Sequence, residues 1–148
     1  MKDFKSLTEE VSYNGKLIAW ILRGKTEVSK KIFPSKKEDF LQVGCIPLNE
    51  KEELQPHHHR ENLRVVKKTQ EVLFVVYGKI QVDFYDRKIK FSEKIINEGD
   101  VITLLDGGHG FVALEPSYII EVKQGPYVSV EQDKEKFIPL GEKNDSSL

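Results

Sequence analysis

The chain has a single cysteine, Cys45, in 148 residues, so no intrachain disulfide can form. That usage fits a reducing compartment. Charge of one sign is not in excess: 23 Lys+Arg stand against 24 Asp+Glu, a formal net charge of -1. A general attraction to nucleic acid or to an anionic membrane surface is therefore not indicated. The basic pairs Lys30-Lys31 and Lys36-Lys37 are followed or offset by acids and read as solvated surface. No apolar run approaches the ~20 residues of a membrane span. Met1-Lys2-Asp3-Phe4-Lys5 has no apolar run behind it and does not read as a signal peptide. These absences set the expectation of a soluble cytoplasmic protein. There is no internal repeat, and no segment of helical period precedes the tail.

The period that is present is two. Asn14-Gly15 is a strong turn signal, and the apolar run 17–22 behind it reads as a buried strand. Residues 28–33 and 41–48 are further strand candidates, and 36–40 is a candidate helical turn. Residues 54–59 read as a strand and 60–62 as a bend. Residues 64–77 form a long extended stretch ending at Gly78. Residues 79–85 alternate, with Ile80, Val82 and Phe84 on one face and Lys79, Gln81, Asp83 and Tyr85 on the other. Strands follow at 89–96, 101–105, 111–114 and 118–122. The turns between them fall at 86–88, 97–100 and 115–117, and 106–110 is a glycine-rich loop. Many short strands with turns every 8–12 residues predict an all-β antiparallel sandwich or barrel. A short helix is expected at 132–137. Residues 1–140 are read as one domain, and the polar stretch 141–148 as a disordered tail.

All four histidines lie in two segments, Gln55-Pro56-His57-His58-His59 and Asp106-Gly107-Gly108-His109-Gly110-Phe111. On an extended strand His57 and His59 share a face and His58 points away. Two neighbouring imidazoles can chelate one metal ion or divide proton-transfer work. Glu71 is the one charged side chain in the apolar run 71–77. A strand apolar on both faces needs cover on both. One set of side chains, with Leu73 and Val75, fills a barrel. The other, Val72, Phe74 and Val76, asks for a second sheet or a second chain, hence an expected homodimer.

The segments His57-x-His59 and Glu71-x6-Gly78, with Gly99-Asp100 opening a second motif that carries His109, resemble the motifs of the cupin superfamily. The resemblance covers roughly residues 41–125. It implies a cupin jelly-roll barrel, the double-stranded β-helix, with His57, His59, Glu71 and His109 as ligands of one divalent metal: Fe, Mn, Ni, Zn or Cu. Eleven residues separate His59 from Glu71, where the cupin pattern has three or four. Residues 60–70 are then an inserted extended hairpin, or they displace Glu71 from the site. The chain also looks like small cupins of polysaccharide-biosynthesis loci, including sugar-nucleotide ketoisomerases and epimerases.

The functional expectation is a metal-binding isomerase or epimerase acting on a small polar molecule, a carbohydrate or sugar nucleotide. In a metal-free version His57 or His59 is the catalytic base. The alternatives are a carbohydrate-binding or sensing cupin without turnover, and a metal-dependent oxygenase. Beside the site, Asp106 reads as a turn residue and Arg64 as surface. Glu121 and Lys123 share a strand face that reads as solvated. Trp20, Phe74, Tyr77, Phe84 and Phe111 are candidates for stacking on a sugar or base, with core packing the commoner fate of such rings.

Overall fold

Asn14-Gly15 sets the first hairpin. Both residues lie at positive φ, 49° and 75°, as a two-residue hairpin turn requires to match strand twist. They join β1 (Thr8–Tyr13) to β2 (Lys16–Leu22). In this computed structural model, which describes residues 7–141, six further strands follow. They are β3 (Glu71–Tyr77), β4 (Lys79–Asp86), β5 (Ile89–Asn97), β6 (Val101–Leu104), β7 (Gly108–Ala113) and β8 (Tyr118–Lys123). Apart from Gly141, the expected disordered tail lies outside the described residues.

The strands build two antiparallel sheets, β1-β2-β6-β3-β8 and β5-β4-β7. The all-β class read from the pattern is the class found. The inner face of the larger sheet carries Ala19, Ile21, Ile102, Leu104, Leu73 and Val75. Ile80, Val82, Phe84 and Ile96 of the smaller sheet join them in one buried cluster. The face set Ile80, Val82 and Phe84 is thus the one that packs inward. Gly24 and Gly99 bring the end of β2 against the β5–β6 turn. A Cβ on Gly24 would lie 2.5 Å from the Gly99 carbonyl carbon, so only glycine fits there.

Three expected strands are not formed. Ile32 and Cys45 make one isolated bridge, but 28–33 and 41–48 build no ladder, and neither do 54–59. Residues 48–69 are exposed throughout. Between 49 and 69 the aliphatic residues are only Leu54, Leu63, Val65 and Val66, amid charges and amides. That is little burial to set against the entropy of ordering the segment. Residues 36–40 form a turn closed by Asp39 N–H donating to the Lys36 carbonyl, not a helical turn. The helix α1 (Val130–Asp133) sits earlier than expected because the Ser129 hydroxyl caps it, accepting from Gln132 N–H. Among the described residues no helix is long and apolar enough to cross a membrane.

Candidate functional site

Glu71 opens β3, in register with Leu104 of β6 and Lys123 of β8. Directly paired residues share a face, so Glu71 points inward with Leu73 and Val75 and is 5% exposed. His109 is in register with Phe84, on the inner face of the other sheet. It stands within β7, where a loop was expected. The two sheets therefore bring one carboxylate and one imidazole face to face, with His109 Nε2 3.1 Å from Glu71 Oε2.

The neighbouring charges favour the ionised carboxylate. His109 beside Glu71 lowers its pKa from the ordinary value. Burial opposes this, and the charges of His109, Lys134 and Lys123 add to the lowering. Lys134 Nζ stands 3.9 Å from the other carboxylate oxygen. Although His109 is close, Glu71 Oε2 is buried without an aligned hydrogen bond. A buried oxygen in that condition has unused capacity for a proton donor or a cation.

A cavity of about 650 Å³ opens beside this pair and runs around the free edge of β7. Glu71, His109 and Phe111 lie on its inner side. Tyr85, Gly108 and Gly110 lie on its outer side, since Tyr85 pairs with Gly108 and Asp83 with Gly110 on the opposite face of the smaller sheet. The bare glycines leave room for rings: a Cβ on Gly108 would come within 3.0 Å of Phe137. The volume is in the range of small-molecule sites.

His57, His58 and His59 lie in the exposed segment, and no strand carries them. The rings of His57 and His59 are neighbours all the same, 5.3 Å apart and edge-on, as residues two apart on an extended chain should be. Among the described residues no group of three or more metal-binding side chains is assembled. The structure thus joins Glu71 to His109 and His57 to His59, as two separate pairs.

Asp106 is a turn residue, as read: its carboxylate accepts from Gly107 N–H and is paired with Lys16 and Lys68. Arg64 is exposed. Glu121 is exposed, as read, and Lys123 is half-buried. Their pairing with Leu73 and Glu71 puts them on the inner face of β8, where Lys123 meets Glu121 at 3.4 Å and Asp133 at 3.3 Å. Of the stacking candidates, Trp20 and Phe84 are buried, whereas Phe74, Tyr77 and Phe111 are exposed. Phe111 lies 5.3 Å from the His109 ring.

Sequence reasoning missed Lys134, Tyr85 and Phe137. The stretch Asp133-Lys134-Glu135-Lys136-Phe137 was expected within a short helix at 132–137, whereas the helix ends at Asp133 and the residues after it cross the cavity. Compared with known proteins, the chain matches no family model, no curated protein and no solved structure.

Proposed function

We propose that the chain is a cupin jelly roll that holds a divalent metal and acts on a small polar molecule, of carbohydrate or sugar-nucleotide type, as an isomerase or epimerase. The observation that carries the reading is Glu71 Oε2, buried and without an aligned hydrogen bond, opposite His109 at the wall of the β7-edge cavity. An imidazole and a carboxylate in that condition suit a borderline divalent ion. His57 and His59 would complete the ligand set when segment 48–69 takes the place of residues 133–139 along the edge of β7. Three features support that movement. The segment is extended and exposed, it carries Leu54, Leu63, Val65 and Val66 unburied, and among the described residues β7 has an unpaired edge.

When bound, the ion would supply Lewis-acid polarisation of a substrate carbonyl or hydroxyl. The chain's own residues do the rest. In the metal-free version His57 or His59 would take a proton from a carbon or oxygen of the ligand, and that ligand would sit beside the His109 imidazole. Phe111 offers a ring face beside that imidazole.

Metal analysis combined with hydrogen exchange tests the reading. Protein loaded with Zn²⁺, Mn²⁺ or Ni²⁺ should retain about one ion per chain, and amides of 54–69 should become protected on loading. Retention of no ion, with 54–69 exchanging as fast as before, rejects it. Turnover is checked with keto-sugars and nucleotide sugars in D₂O, where deuterium should enter beside the carbonyl.

A further inference from the structure

The C-terminal segment does not trail from the sheets. After α1, Asp133 is tied to Lys123 of β8 at 3.3 Å. Lys134 then passes over Glu71. Phe137 sets its ring edge-on to Tyr85, 5.4 Å between centroids, and against the bare backbone of Gly108. Leu140 N–H donates to the Lys88 carbonyl in the β4–β5 turn, 2.8 Å. The chain thus crosses from the edge of the larger sheet, over the cavity, to the outer face of the smaller one. Residues 133–137 and Pro139 line the same cavity as Glu71 and His109.

We propose that residues 129–140 are a gate over the Glu71–His109 cavity, latched by Phe137 on Tyr85 and Gly108, with Lys134 compensating Glu71 while the gate is closed. This rests on the reading that ligand chemistry takes place at the Glu71–His109 pair. Four features single out a gate from ordinary packing. The crossing segment has no ladder and contains no buried residue between 129 and 141. Its aromatic anchor is one ring. Among the described residues its far end is fixed by one backbone hydrogen bond. The cation it sets over the site stands at 3.9 Å from the carboxylate, beyond hydrogen-bond reach, so little is lost when it leaves. A ligand that takes over the compensation of Glu71 would displace Lys134 and open the crossing. His109 keeps a quarter of its side chain exposed behind the segment, whereas His57, His58 and His59 are open to solvent.

The test uses imidazole acylation by diethyl pyrocarbonate on the full chain, followed residue by residue by mass spectrometry. His57, His58 and His59 serve as internal references. In the wild type His109 should react more slowly than all three. Phe137→Ala removes the latch, and His109 should then react about threefold to tenfold faster, the range expected for losing one aromatic pair. Gly108→Ala should act in the same direction but more weakly, because its Cβ would crowd the Phe137 ring at 3.0 Å and force it to shift by a few tenths of an ångström. Equal His109 rates in the wild type and both variants, or a wild-type His109 as fast as His58, overturn the gate. Hydrogen exchange of the β4 amides shows that each variant is folded. Failure of the underlying reading looks different: no variant retains metal, yet His109 still accelerates in Phe137→Ala.

Discussion

His109 of the three-stranded sheet and Glu71 of the five-stranded sheet meet at 3.1 Å, so this contact joins the two layers where the cavity opens. Because the partners come from different layers, a change in either one is felt both in chemistry and in the fit between sheets.

Metal retention should separate the histidines. His57→Ala combined with His59→Ala should abolish it, and His109→Ala should do the same, whereas His58→Ala should leave it intact. Elemental analysis of protein purified without chelator or nickel resin is the measurement. Equal loss for His57, His58 and His59 single variants would contradict the shared face seen in the His57–His59 ring contact.

Acid should weaken the fold through Glu71. Its folded-state pKa is lowered from 4.5, first by His109. A lowered carboxylate pKa gives stability that is full above the unfolded value and is lost as pH falls through the folded one. Denaturant titrations from about pH 6 down to pH 3 should show a steeper loss for the wild type than for Glu71→Gln. Parallel curves would remove Glu71 from the acid response.

Two copies should pair through the outer face of β3 and β8. Val72 lies in register with Val122, and Phe74 with Ile120. Phe74, Ile120 and Val122 are exposed, with Tyr77 and Tyr118 beside them. An uncharged apolar patch of this kind favours association. Light scattering at micromolar concentration should find a dimer, and Phe74→Glu should reduce it to a monomer. A wild-type monomer would count against the pairing.

Asp100 should be among the costlier polar positions. It is buried and accepts from Gly24 N–H, Asn97 N–H and the Arg23 guanidinium. Asp100→Ala strips all three donors, and about 2–3 kcal/mol of stability should go, the partly exposed Arg23 being discounted. Phe84→Ala, in the centre of the core, should cost about 3–5 kcal/mol. Chemical denaturation of both variants checks the order.

Strands with clean alternation are legible in the sequence, because period two and turn residues are local signals. Asn14-Gly15, Asn97–Asp100 and the alternating run of β4 stand where they were read. β1 was not legible: in Thr-Glu-Glu-Val-Ser-Tyr only Val11 is buried, and pairing with β2 supplies what its own pattern lacks. Residues 28–33 and 41–48 carry enough β-branched or apolar residues to suggest strands, yet they meet only in the single Ile32–Cys45 bridge, and 54–59, with Leu54 its one aliphatic residue, joins no ladder. The Glu71–His109 pair was legible as residue types, but its contact depends on two sheets folding together. Lys134 was illegible for the same reason, because nothing local says that the segment after the short helix returns across a cavity.

The free edges of β7 and β8 carry a hazard as well as an opportunity. A bare strand edge offers its N–H and C=O groups to any extended chain, another molecule's included. On β8, Glu121 and Lys123 place opposite charges among Tyr118, Ile120 and Val122, which discourages stacking in register with identical neighbours. On β7 the glycines at 108 and 110 weaken the edge as a template, and the chain crossing from 133 to 139 shields it. Shortening the protein at its C-terminus would remove that shield, and the predictable outcome is loss of solubility on concentration rather than simple unfolding.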